Sequence, residues 1–362
     1  MTTSSGSPAF EIGPIRPPSE GGGNSLLLRV TRNCPWSRCT FCYGTLYHRN
    51  KFELRTVEDV KKDIDSAKAI ADGIASVSWG LGYGGEANDV VGASMVRASP
   101  SLRSDQCFVT VFNWLYEGGL TAFLQDADSL IMRPGELEDV VAYLKSTFPS
   151  LERTTTYARA KSILRKDTEE LRRLRAAGGL TRLHVGLETG DDELLELVDK
   201  GITSEQHIAA GRKAKEAGLE LSQYIMPDLG GRARWEQHAR NTARVLSAID
   251  PDYIRFRSFV PRRGTPMYED YEAGTFELSS PHERLREIRL LTQELTVNSH
   301  VCFDHFTNSW RNRSGGALFK RDYEGYRFPA EKQGVLDLIE EGLALDESAH
   351  VHAREMVHLT RM

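Results

Sequence analysis

Short apolar runs alternate with longer amphipathic stretches through most of this chain. The run Ser25-Leu26-Leu27-Leu28-Arg29-Val30 predicts a first strand over about 25–31. A helical period follows: Val57, Val60, Ile64, Ala67 and Ile70 share one face, Thr56 with Asp59 opens the helix, and Gly73 closes it. Further strands are expected at 121–124, 153–157, 183–187, 219–226 and 253–260. Helices are expected between them: 134–148, with Pro134 suited to a first turn; 168–177, stopped by Gly178-Gly179; one opened by Thr203 with Gln206 and closed by Gly218; and 235–248. Strands alternating with helices at this spacing predict an α/β fold with a parallel sheet covered by helices. Six such units fall short of the eight that close a TIM barrel.

Two regions break the rhythm. Residues 74–118 hold the apolar runs Ser76-Val77-Ser78-Trp79 and Phe108-Val109-Thr110-Val111-Phe112, separated by Gly80, Gly82, Gly84 and Gly85. They read as short strands in an insertion that caps the active face. Residues 1–24 are rich in Ser, Gly and Pro and read as a flexible leader, with 12–18 on the outside of the core. The domain reading is thus a leader over 1–24, a core over 25–270 with the insertion at about 74–118, and a helical extension over 271–362.

Composition changes this picture little: 40% hydrophobic and 27% charged residues are ordinary for a globular protein. A net charge of −5 argues against a general nucleic-acid footprint, and the basic group Arg311, Arg313, Lys320 and Arg321 reads as solvated surface. No apolar run approaches the roughly 20 residues needed to span a bilayer. Met1 to Ser7 has no apolar core, so no signal peptide is expected, and cytoplasm is the default location.

The chemistry concentrates in one loop. Three of the five cysteines, Cys34, Cys39 and Cys42, fall between the first strand and the first helix. Thiols so closely spaced at a strand end favour a bound metal over disulfides. Structural zinc and most iron–sulfur clusters take four ligands, and only three cysteines are local. A three-cysteine site leaves one metal position open for substrate or cofactor. The rival reading is a Cys3His zinc site completed by His48.

The spacing Cys-x4-Cys-x-Phe-Cys at the end of a first strand resembles the cluster loop of the radical S-adenosylmethionine (SAM) superfamily, whose usual form is Cys-x3-Cys-x-aromatic-Cys. One extra residue separates Cys34 from Cys39, so the loop must bulge. The resemblance implies a partial (β/α)6 TIM-like barrel, in accord with the strand count. It also implies a [4Fe–4S] cluster held by Cys34, Cys39 and Cys42, with SAM on the fourth iron and Phe41 beside SAM. A low-potential donor such as flavodoxin or ferredoxin would reduce the cluster. SAM would be cleaved reductively to a 5′-deoxyadenosyl radical that abstracts hydrogen from a small-molecule or unknown substrate, in an oxidoreductase or transferase reaction.

The block from Phe123 to Gly231 resembles a branch related to the oxygen-independent coproporphyrinogen oxidases. There an Asp-bearing turn, here Asp126 and Asp128, replaces the usual Gly-Gly-Glu turn at the SAM ammonium; Gly84-Gly85-Glu86 is read as accidental. The alternative for the two aspartates is helix capping. Arg159 suits the SAM carboxylate or, alternatively, a surface ion pair. Glu188, in Gly186-Leu187-Glu188-Thr189-Gly190, matches a SAM-binding turn. Arg212 lies on the next helix, where the family often has a SAM-contacting arginine; the alternative is an exposed helix residue. The turn Met226-Pro227-Asp228-Leu229-Gly230-Gly231 matches one beside adenine. Arg255 and Arg257 alternate with Ile254 and Phe256, so both face one side, inward or outward; if inward, they suit an acidic substrate group. His305, Asn308, Cys107 and Cys302 read first as structural. Two other classes compete with the enzyme: a non-catalytic haem- or cluster-binding carrier, and a zinc-stabilised binding protein.

Overall fold

The computed structural model describes residues 8–15, 25–42, 44 and 50–358. The fold is α/β, a mostly parallel sheet with helices, of the partial TIM-barrel kind, and the sheet does not close. The chain divides into two compact units. One comprises Met1–Pro35, Lys51–Ala158 and Lys166–Leu183; the other comprises Trp36–Asn50, Arg159–Arg165 and His184–Met362.

In the first unit, β1 (Leu26–Arg29) is followed by the short antiparallel pair β2 (Thr31–Arg32) and β3 (Glu53–Leu54). Strand β1 pairs in parallel with β4 (Thr121–Gln125), and β4 with β5 (Arg153–Ala158), in the registers Leu27↔Phe123 and Phe123↔Thr155. Leu26, Leu27 and Leu28 are all fully buried. An unbroken apolar run is what a strand covered on both faces requires, and each such side chain contributes roughly 1.5–3 kcal/mol by burial.

The helices of this unit correct the reading of the insertion. Helix α1 runs from Val57 to Gly80, past Gly73. Its buried stripe is Val60, Ile64, Ala67, Ala71, Ile74 and Ser78, an unbroken helical period in which Ala71 and Ser78 are too small to show as apolar signals. Nothing lies within 4 Å of where a Cβ on Gly73 would sit, so this residue interrupts no contact. A mid-helix glycine costs only about 1 kcal/mol, which the stripe outweighs. The segment expected as strand 76–79 is therefore the last turn of α1. After α2 (Asp89–Ala98), the segment expected as strand 108–112 lies in α3 (Gln106–Tyr116), capped by the Asp105 carboxylate accepting from the Cys107 and Phe108 amides. Cys107, Phe108, Val111 and Trp114 supply a helical buried face, so tertiary packing overrides the β-propensity of Phe-Val-Thr-Val-Phe. Gly84-Gly85-Glu86 lies in the loop after α1, not at a strand end. Helix α4 (Pro134–Thr147) packs on α6 (Thr168–Gly178), where a Cβ on Gly178 would lie 2.2 Å from the Val141 carbonyl.

Strand β6 (Leu180–Glu188) begins in the first unit and ends in the second. The second unit holds α5 (Ala160–Leu164), α7 (Asp192–Leu197), α8 (Ser204–Glu216), β7 (Glu220–Ile225), α9 (Gly231–Ile249), β8 (Tyr253–Phe256) and α10 (Pro266–Ala273). After them come α11 (Pro281–Glu294), β9 (His300–Cys302), β10 (Tyr326–Arg327), α12 (Lys332–Leu343) and α13 (Ala353–Met356). Strands β7, β8 and β9 are parallel, and β10 is antiparallel to β9. The expected helical extension thus also carries two strands. They are too short for a periodic signal. The capping box anticipated at Thr203 and Gln206 is formed, as are others at Asp167 with Glu170 and Ser280 with Glu283. Each satisfies two otherwise orphaned backbone donors.

Candidate cluster and cofactor site

The cysteine loop enters the second unit at Trp36, whose surroundings explain its course. The indole Nε1 donates to the Asp199 carbonyl at 2.6 Å. Arg159, Arg38 and Lys161 lie 4.8, 4.9 and 5.6 Å from the ring centroid. Cation–π contacts of this kind contribute about 0.5–2 kcal/mol each. Gly201 has φ 70°, and a Cβ there would fall 2.2 Å from Trp36 Cζ2, so both backbone and contact demand glycine. Further on, the Thr40 amide donates to Val198 O at 3.0 Å and the Met267 amide to Thr40 O at 3.2 Å. The Cys42 amide donates to Cys39 O at 3.0 Å, a tight turn between the two thiols. Phe41 and Met226 pack against the same apolar cluster, which includes Leu194, Leu229, Phe259 and Met267.

Glu188 ends β6 in a left-handed conformation, φ 63°. Its carboxylate meets Lys200 Nζ at 2.8 Å, and both side chains are largely buried. A Cβ on Gly186 would lie 2.1 Å from Glu188 Oε1 and 3.1 Å from Lys200 Nζ, so that glycine makes room for the pair. Gly190 instead lets α9 approach: its Cβ would fall 2.4 Å from the Asn241 carbonyl. The Glu188 carbonyl accepts from the Met226 amide at 2.9 Å. Lys200 Nζ also lies 5.5 Å from the Phe41 ring centroid, and Arg159 Nη2 donates to Lys200 O at 2.8 Å. Phe41, Arg159 and Glu188 thus all meet Lys200, a residue with no motif to mark it, and Met226 joins them through the Glu188 carbonyl. The only signal for Lys200 was its place before Gly201.

The charges around the loop are ordered. Burial opposes the charge of Lys200, but Glu188 and Cys39 outweigh it and hold the ammonium above the ordinary lysine range. Burial lowers Arg262 below the usual guanidinium value, with Cys42 pulling the other way. Cys39 thus lies near Lys200 and Cys42 near Arg262. Cysteine sulfurs are soft donors that suit iron–sulfur ligation. Among the described residues, no three Cys, His, Asp or Glu side chains converge as a metal site would. His48, the candidate zinc ligand, lies outside the described residues.

The other candidates have different settings. In the first unit, Asp126 is fully buried; its Oδ2 accepts from Arg29 Nε at 2.8 Å and from the Asn33 amide at 3.4 Å. Its Oδ1 is buried with no hydrogen-bond partner among the described residues, beside Gly13, whose Cβ would lie 2.3 Å away. Burial raises this carboxyl above its usual range, against the pull of Arg29. Asp128 is buried near Lys166, whose ammonium donates to Met132 O at 2.8 Å. In the second unit, Arg212 is exposed on α8 and donates from Nε to Ala248 O at 3.0 Å. Arg255 is buried beside Asp304 at 3.4 Å, whereas Arg257 is half-buried. His305 Nδ1 lies 2.7 Å from Thr307 Oγ1, and Asn308 Nδ2 donates to Phe256 O at 2.8 Å. Cys302 donates to Tyr323 O at 3.2 Å and burial pushes its thiol up to about 12; Cys107 donates to Phe10 O at 3.3 Å in the first unit.

The model of the radical SAM superfamily matches residues 28–236, more than half of the chain. The chain belongs to that superfamily, and its cofactors are a [4Fe–4S] cluster and SAM. A tRNA uridine(34) acetyltransferase from Methanocaldococcus jannaschii is 29% identical over 33% of this chain and 22% of its own length. A tRNA-2-methylthio-N(6)-dimethylallyladenosine synthase from Aquifex aeolicus is 27% identical over 33% of this chain and 26% of its own. The matched segment thus spans about a quarter of such relatives. Among solved structures, methylornithine synthase is similar at 18% identity, covering 77% of this chain and 66% of its own, with a TM-score of 0.43. Coproporphyrinogen III oxidase from Escherichia coli is similar at 17% identity, covering 48% and 40%, with a TM-score of 0.38. No helix among the described residues is long and apolar enough to cross a membrane.

Proposed function

We propose that this protein is a radical SAM enzyme in which Cys34, Cys39 and Cys42 ligate the cluster and the Lys200-centred group holds SAM. The observation that carries the reading is the buried Lys200 ammonium, set against Glu188, Cys39 and Phe41 together. Cluster and SAM, when bound, supply reductive cleavage of the sulfonium C–S bond and a 5′-deoxyadenosyl radical that takes hydrogen from substrate. The chain's part is positioning. Lys200 fixes the Glu188 carboxylate through Oε1, leaving Oε2 for a ligand donor. Arg159, pinned on Trp36 and Lys200 O, offers a guanidinium to a ligand carboxylate. Phe41 and Met226 supply an apolar wall that excludes water from the radical step.

The test is anaerobic reconstitution with iron and sulfide, reduction by dithionite, and chromatographic assay of 5′-deoxyadenosine. Slow production from SAM alone is the expected result. A fully loaded protein that binds haem tightly and yields none with any substrate tried would support a carrier instead. Substrates are then sought by acceleration of that rate. tRNA belongs in the screen because relatives matching a third of the chain are named for it, and small molecules belong because a net charge of −5 favours them over a polyanion.

A further inference from the structure

Behind the strand ends of the second unit lies a buried polar chain that the proposed mechanism does not use. His238 on α9 and Glu287 on α11 are almost wholly buried. His238 Nδ1 approaches Glu287 Oε1 at 2.7 Å, off the ideal hydrogen-bond direction. The other ring nitrogen, Nε2, lies 3.3 Å from the Glu188 carbonyl. Glu287 Oε2 accepts from the Asp228 amide at 2.9 Å. Asp228 Oδ1 in turn accepts from the Ser279 amide at 2.9 Å.

The two backbone sites reached by this chain are both unusual. Glu188 has φ 63° and Asp228 has φ 69°, a conformation that costs a non-glycine residue energy unless its surroundings hold it. The Met226 amide, between them in the turn, donates to the same Glu188 carbonyl that faces His238.

We infer that His238 and Glu287 are positioning residues: a brace between two helices that fixes the backbones of Glu188 and Asp228, and so aims the Glu188 carboxylate at SAM. This rests on the assignment of Glu188 to SAM made above. Glu287 contributes one carboxylate oxygen to each arm. His238 adds a second polar contact to a carbonyl already bonded to Met226, and so holds the left-handed turn at Glu188.

The test compares His238→Ala and the near-isosteric Glu287→Gln with Leu246→Ala, a cavity variant in the buried face of α9 away from the brace. Two quantities are read on reconstituted protein: hydrogen exchange at the Met226 amide, and SAM affinity by equilibrium dialysis. Both brace variants are expected to speed Met226 exchange at least tenfold and to weaken SAM binding at least tenfold at full iron content. Leu246→Ala is expected to lower the melting temperature and change neither. Unchanged Met226 exchange in folded brace variants overturns the inference. So does faster exchange with unchanged SAM affinity when Glu188→Gln weakens SAM. If Glu188→Gln leaves SAM affinity intact as well, the error lies in the Glu188 assignment, and exchange at Met226 alone decides the brace.

Discussion

Lys200 Nζ sits 2.8 Å from Glu188 Oε1 in a space kept open by the missing side chain of Gly186. The pair explains why an apolar strand ends in a buried carboxylate. Removing either partner leaves an uncompensated charge out of water, which costs about 3–5 kcal/mol. Lys200→Met is therefore expected to lower unfolding free energy by about that amount, and the double variant with Glu188→Gln to recover most of it. Denaturant unfolding of the four proteins of the cycle checks this. Additive losses would show that the two charges do not act as a pair.

Asp228 sets a pH dependence. Burial, with the nearby charge of Glu287 adding and Arg284 opposing, raises its carboxyl from the ordinary carboxylate range to about 7. The folded state therefore keeps a proton that the unfolded state releases, and stability falls as pH rises through that window. His238 acts in the same direction: burial lowers it, but Glu287 outweighs burial and holds it above the ordinary imidazole range. Its contribution is present at low pH and lost as pH rises. Asp228→Asn, which tolerates the left-handed backbone, should gain on wild type by about 3 kcal/mol between pH 5 and pH 8. Urea unfolding at the two pH values measures it; a constant difference would refute it.

The seat of Trp36 depends on Gly201. With φ 70° and Trp36 Cζ2 2.2 Å from the site of a Cβ, Gly201→Ala is expected to cost more than about 1 kcal/mol. A melting temperature equal to wild type would show that the loop yields freely.

The cysteines divide into two groups. Cys39→Ala is expected to abolish both iron incorporation and 5′-deoxyadenosine production, whereas Cys302→Ser retains both. Cys302, its thiol pushed up to about 12 by burial, should resist iodoacetamide in the folded protein. Rapid alkylation at Cys302, or full iron content in Cys39→Ala, would each contradict the structure-based division.

Much of the barrel was legible because its signals are local. Unbroken runs such as 26–28 mark buried strands, and Thr203 with Gln206 marks a helix start before any packing is known. The insertion was misread because its decisive residues are small: Ala71 and Ser78 complete the stripe of α1 without raising local hydrophobicity. The strands at 300–302 and 326–327 escaped notice because pairing, not periodicity, defines them.

The site divides in the same way. Cys34, Cys39 and Cys42 stand out because spacing along the chain is itself the signal. Lys200, His238 and Glu287 do not, because Lys200 and His238 meet Glu188, and Glu287 meets His238, only when three separate segments fold together. A lysine before a glycine or a histidine in an amphipathic helix resembles many others until the fold brings it to a strand end.

The packing of Trp36 also has an optical consequence. The indole lies two residues after Cys34 and three before Cys39, hydrogen-bonded at Nε1 and bordered by three cations. Its fluorescence is therefore a built-in probe of the loop. Emission followed during addition of iron and sulfide, with Trp36→Phe as the blank for the other four tryptophans, reads cluster assembly in real time without any label.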